Sequence, residues 1–376
     1  FSRVSINYKR ICKGKKMKIK NDNFYAYLLI LPFMFFFLSF LIYPFGKLFY
    51  MSFYDWNLMA VAINPDNKEF IGFENYIYLL AGEGIYYDFT VFFTPIKIFL
   101  LISIIAAIYI FHKNEILKHN VGLKFFFIFA LIVYFMNGIK PTEDAYWEDD
   151  LFWKTVRNTI ILAFYSAYGV TFIAIIIAIA TNKKGVAFTI IRTLFWATGG
   201  VGVVGLSLVF SQLFAPYGSL VNNALEAFGF DAYPFKSKTN SGRFLIIIAT
   251  VWWTIGLPII LFIAALQQIP DERYEAARID GASNSQMFWY ITLPGVSRIF
   301  LLVSVLQIIA HLQIFAQSQL LTEGGPDNNT RTLVQLIYEY SFRDMRMGSG
   351  AAVAVVLFLI IGFFTFLQFR LFRENE

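Results

Sequence analysis

The chain has 376 residues, of which 58% are apolar, 19% aromatic and only 15% charged, with a formal net charge of +6. Soluble domains carry about 25% charge, so an ordinary soluble fold is excluded, and the apolar residues come in blocks that lack an amphipathic period. The single cysteine, Cys12, excludes a disulfide framework and a thiolate metal set.

A basic tail, residues 1–24, precedes an apolar block at about 24–53. That block is longer than the roughly 7–15 residues of a signal-peptide core and lacks a small-residue cleavage site, so it reads as a first spanning helix. Phe1 in place of Met suggests a clipped or incomplete start. At about 20 apolar residues per span, further spanning helices are expected at 89–111, 123–138, 156–181, 187–210, 244–266, 297–320 and 350–369, after a first at 25–47. The weakest is 123–138: Phe125 to Ile139 gives only about 22 Å of helix, although Lys124 and Lys140 at its ends can snorkel to the interfaces.

Eight crossings put both termini on one side. The tail 1–24, the loops 112–124, 181–192 and 267–298, and the tail 370–376 then hold 19 of the 31 Lys and Arg, which predicts that both termini are cytoplasmic. The same scatter of basic residues through loops argues for membrane topology over nucleic acid. The glycine cluster 199–205, GGVGVVG, lacks the Lys and Ser/Thr of a phosphate loop; close helix packing is the expectation there. His112 and His119 read as solvated loop residues, and the acidic run Glu143, Asp144, Glu148, Asp149, Asp150 as a solvated loop or a docking surface.

The most polar cytoplasmic stretch is 267–298. Asp271 and Glu272 after Pro270 suit a first helical turn, and Gly281 suits the left-handed position past a helix end, with a second role in close backbone approach. Ser283 with Gln286 has capping-box spacing for a second helix, which Pro294 should limit.

Glu275, Ala276, Ala277, Gly281, Ile291, Leu293 and Pro294 fit EAA, three residues, G, nine residues, I, one residue, LP. This pattern resembles the cytoplasmic signature of ABC importer permeases. FIGFENYIYLL at 70–80, LFWKTVRNTI at 151–160, LLTEGGP at 320–326 and MGSGAAVAVVLFLI at 347–360 are similar to the carbohydrate-uptake branch, the maltose-type permeases. The resemblance implies an all-α transmembrane permease of about eight helices. Its parts are the tail 1–24, a first helix and external segment 25–84, an inserted helical hairpin with an acidic external loop 85–149, and a six-helix core over 150–371.

The resemblance further implies a heterodimer with a second homologous permease, two ATPase subunits that carry the ATP and Mg2+, and an extracytoplasmic solute-binding protein that delivers a sugar or oligosaccharide across a bacterial inner membrane. The chain has no Walker A sequence, so no cofactor, catalytic residue or metal is expected on it. In the family the EAA helix docks in a cleft of the ATPase, with Glu275 matching an acid paired to a basic group. The substrate path is expected along Trp252, Gly256, Ile259, Gln307 and His311; Trp252 departs from the polar residue of the maltose permease but suits stacking on a sugar ring. By helical steps, Gln307, His311 and Ser318 share one stripe, and Gln313 and Gln317 another. The rival reading, an ion-coupled secondary transporter, calls for mid-membrane ionisable residues and inverted repeats, and few candidates besides His311 stand at helix centres.

Overall fold

The computed structural model describes residues 19–81, 85–141, 150–183 and 185–373. Cys12 and the acidic run 143–149 lie outside them. The described chain is helical, with two short strand pairs: β1 (Tyr54–Trp56) with β2 (Lys68–Phe70), and β3 (Ile85–Tyr87) with β4 (Ile139–Pro141), both antiparallel. Among the described residues four helices are long and apolar enough to cross a membrane unbroken: α1 (Tyr27–Met51), α2 (Pro95–Lys113), α4 (Asp150–Thr181) and α13 (Met347–Arg373). The apolar α3 (Val121–Met136) is shorter.

Two expected straight spans are instead bent pairs, and a third bend joins the second helix of the polar loop to the span that follows it. Helices α5 (Val186–Thr198) and α6 (Val203–Leu213) meet at 100°, α7 (Thr239–Thr254) and α8 (Gly256–Leu266) at 52°, and α10 (Asn284–Gly295) and α11 (Ser297–His311) at 67°. The glycine cluster explains the sharpest bend. Gly199, Gly200 and Gly202 form the break itself, and a side chain at Gly202 or Gly205 would meet nothing within 4 Å. The cluster therefore breaks a helix, where close packing was expected. The span expected at 297–320 also differs, because α11 ends at His311 and a turn leads into α12 (Ala316–Leu321).

Helix α4 is the hub, with 67% of its most apolar window buried, against none for α1 and α2. It packs on α3, α7, α8 and α11. Ala163, Ala167, Ala174 and Ala178 follow one stripe of α4 and are almost wholly buried, the small-residue surface that lets helices approach where water supplies no driving force. Thr159 and Thr171 in the same helix return their hydroxyls to the carbonyls of Thr155 and Ala167, both at 2.8 Å, which satisfies polar groups that lipid and apolar side chains cannot. Most of the apolar surface of α1 and α2 is exposed on this chain; lipid is the solvent that suits it.

Helices α2 and α3 pack as an antiparallel pair. Tyr134 donates to the carbonyl of Lys97 at one end, and Phe111 packs on Phe127 towards the other. The β3–β4 pair joins the chain entering the hairpin to the chain leaving it. Unlike α2, α3 is an internal helix. Phe125 and Phe129 are fully buried against α4 and α13, and a side chain at Gly122 would strike the Phe300 ring of α11 at 2.2 Å.

Candidate coupling loop and translocation recess

The polar segment folds as the two helices read from its sequence. Helix α9 (Asp271–Ile279) starts after Pro270, with Asp271 and Glu272 in its first turn and Arg278 in its last, each complementing the helix dipole. It ends in a Schellman motif: the Ala282 amide donates to Ala277 O at 2.9 Å, the Gly281 amide donates to Arg278 O at 3.1 Å, and Gly281 has φ +79°. Ser283 and Gln286 then close a capping box at the start of α10.

Pro294 does not limit that second helix. The ladder widens into a π-helical turn at Phe288–Thr292, where the Leu293 amide bonds Phe288 O, and this slack absorbs the donor that proline lacks. The chain bends only at Val296, into α11.

The seven signature residues divide into two groups. Glu275, Ala276 and Gly281 are exposed, with Ala277 half-buried beside them and Ile279 exposed at 87%, and among the described residues nothing bonds the Glu275 side chain. Leu293 is buried and Ile291 half-buried in the cluster that also holds Phe262, Leu266, Ile269, Val296 and Phe300; Pro294 is half-buried beside them. Tyr274 Oη lies 3.0 Å from Thr292 Oγ1 and ties the exposed helix to the anchored one. One half of the motif is thus a free surface, and the other half roots it in the bundle. Ile279 escaped the sequence reading; its signal was an aliphatic residue between Arg278 and Asp280 in a polar loop. Within this chain a Cβ on Gly281 would meet nothing within 4 Å, so its backbone conformation, not close approach, is what requires glycine.

Where α5, α7, α8 and α11 meet lies a recess of about 480 Å³, lined by Trp196, Gly199, Gly200, Trp253, Thr254, Gly256, Leu257, Gln307 and Ala310. Two of the five residues expected along the path line it, Gly256 and Gln307. A Cβ at Gly256 would stand 2.5 Å from Phe195 O and 2.9 Å from Trp196 Cα, so this glycine lets α8 cross α5 closely. Gln307 Oε1 is buried without a hydrogen-bond partner. Next to the recess, His311 Nε2 lies 3.3 Å from the Thr254 hydroxyl and Nδ1 has no partner. Trp252 is 41% exposed and packs on Phe210, while Ile259 is fully buried in the core. Trp253 Nε1 donates to Val201 O at 2.8 Å and pins the break between α5 and α6. Ser318 does not share a stripe with Gln307 and His311, because the helix stops at His311; its hydroxyl meets Thr330 O and Gln335 Oε1, both at 2.7 Å.

The remaining family-like segments converge at the end of the bundle away from the coupling loop. Asn75 donates to Ser52 O and Tyr54 O and accepts from the Ser349 hydroxyl. Asn158 donates to the carbonyls of Asn328 and Arg331, and Thr159 Oγ1 accepts from the Leu333 amide. These motifs serve as clasps between segments distant in sequence.

Residues 89–374 match the family of binding-protein-dependent transport system inner membrane components. The chain belongs to that family. The matched span takes in the α2–α3 hairpin. The multiple sugar-binding transport system permease protein MsmF of Streptococcus mutans is 34% identical over 228 residues, 61% of this chain and 78% of that protein. The lactose transport system permease protein LacF of Rhizobium radiobacter is 34% identical over 236 residues, 61% of this chain and 79% of that protein. Among solved structures, a chain of a bacterial alginate ABC transporter, in complex with an alginate pentasaccharide-bound periplasmic protein, superposes with a TM-score of 0.64 at 18% identity, covering 94% of this chain and 96% of that one. The fold is that of an ABC permease subunit, inserted in a membrane by several apolar helices.

Proposed function

We propose that this permease imports a sugar or oligosaccharide handed over by an extracytoplasmic binding protein, as the unpaired half of a heterodimer with a second homologous permease. Two ATPase subunits, carrying ATP and Mg2+, dock on α9; Glu275, Ala276, Ala277 and Gly281 make the contact, and Ile291, Leu293 and Pro294 carry its movement into α11. The observation that carries this reading is the divided motif: an exposed, unpartnered helix held rigidly on a buried anchor. Such a helix offers a partner a surface and turns its displacement into movement of a membrane helix. Small residues seat it deeply in a groove, and a charge pair at Glu275 fixes its register. Both termini face the cytoplasm in this reading, and segment 85–149 is an inserted hairpin.

The substrate follows the recess, where Gln307 and His311 supply hydrogen bonds and Trp252, beside it, a stacking face. Sugar is the class that suits this mixture of neutral polar groups and aromatic rings, and it agrees with the sugar-transport names of the similar permeases. The test is uptake in proteoliposomes that hold both permeases and the ATPases, with binding protein added. Uptake should need internal ATP and survive collapse of all ion gradients. Uptake abolished by an ionophore while ATP is present would favour the ion-coupled alternative. Ala at Trp252 or His311 should lower uptake and leave basal hydrolysis intact; normal uptake by both variants would place the path elsewhere.

A further inference from the structure

Arg243 stands near the start of α7, at the end of the bundle opposite the coupling loop. Its guanidinium is half-buried and, among the described residues, held by neutral acceptors: Nε donates to Asn329 O and Nη2 to Asn158 Oδ1, both at 2.9 Å. No described carboxylate lies within salt-bridge distance of it. Elsewhere in this fold a buried guanidinium is neutralised: Arg331 pairs with Glu339 at 3.3 Å. A cation withdrawn from water without a counter-charge is expensive, and polar acceptors offset only part of that cost.

Arg243 lines a recess of about 300 Å³ between α3, α4 and α7. Asn137, Tyr165 and Asn240 add polar groups to its lining, Phe244 adds a second aromatic ring, and Ile161 and Ile247 form an aliphatic wall. Tyr165 and Phe244 are half exposed, at 53% and 51%, so the recess is open to a ligand from outside. It shares no lining residue with the recess around Gln307.

We propose that this second recess binds an oxyanion, a carboxylate or phosphate group, on Arg243. Planar guanidinium matches such groups in two-point contact, and its two bonds to Asn158 and Asn329 fix the orientation of the fork before the ligand arrives. Asn137 and Asn240 are suited to neighbouring hydroxyls, and the rings of Tyr165 and Phe244 to the flat faces of a sugar or a glycerol backbone. The anion has two possible carriers, a sugar acid or an anionic lipid headgroup, and the site chemistry is the same for both. The inference does not depend on the import reading, since it concerns a different cavity and a binding event without transport.

The test uses the purified complex of this chain with its partner subunits, following its thermal unfolding while one probe at a time is added. The probes are glucuronate against glucose, and short-chain phosphatidylglycerol against short-chain phosphatidylcholine. At least one anionic probe should raise the unfolding temperature saturably while its neutral counterpart does not. Arg243→Gln should weaken that effect at least tenfold, with Arg243→Lys in between. Because Arg243→Gln also removes two hydrogen bonds, Asn240→Trp serves as a second variant that crowds the recess and leaves both bonds in place; it should weaken binding as well. A response to glucuronate assigns the site to a sugar acid, and a response to phosphatidylglycerol assigns it to lipid. Response to neither, or equal affinity in wild type and both blocking variants, overturns the proposal.

Discussion

Replacing Gly281 separates two reasons for a glycine in the coupling loop. At φ +79°, with nothing within 4 Å of the position a Cβ would take, the chain itself demands a left-handed backbone and imposes no limit on volume. An L-residue held left-handed costs about 1–2 kcal/mol, which reduces the ratio of capped to frayed loop by roughly 5- to 30-fold. Asn tolerates this conformation better than Ala, and a β-branched residue tolerates it worst. The expected order of loop integrity is therefore Gly281, then Gly281→Asn, Gly281→Ala and Gly281→Val. Amide hydrogen exchange at residues 281 and 282, the two donors of the Schellman motif, reads the loop directly, and sugar transported per ATP hydrolysed reads its consequence. Equal damage by Asn and Val would mean that bulk against a docked partner decides. A Gly281→Ala loop as protected as wild type would refute the backbone argument.

Glu275→Lys should leave the fold of this chain unchanged, because Glu275 is exposed and unbonded here; it should weaken copurification of the ATPase roughly a hundredfold, whereas the exposed Lys118→Glu should not. Gly256→Ala drives a methyl group against backbone atoms of Phe195 and Trp196 at 2.5 and 2.9 Å, so about 1–3 kcal/mol of overpacking should appear as a lower unfolding temperature together with reduced uptake. In a Cys12→Ser background, single cysteines at Lys118 and Asp280 should be shielded from an impermeant thiol reagent in intact cells while one at Asp149 reacts; labelling at Asp280 would reverse the topology.

Residue spacing alone carried much of this protein. Apolar blocks located the helices because lipid leaves the backbone no other way to satisfy its hydrogen bonds, and local capping chemistry placed α9, the Schellman turn at Gly281 and the Ser283–Gln286 box, since each depends on residues within one helical turn. Hydropathy could not see bends, because a broken helix and a straight one contain the same apolar residues: the 100° break at Gly199–Gly202, the stop at His311 and the run of α10 through Pro294 depend on what packs outside them. Stepping residues at 100° along 297–320 failed at Ser318 for that reason, since a helical wheel holds only while the helix does. The partition of the EAA signature into an exposed face and a buried root, and the meeting of Trp196, Gly256 and Gln307 around one recess, were likewise beyond the sequence. Such groupings join residues dozens of positions apart, and only the packing of α5, α8 and α11 against one another brings them together.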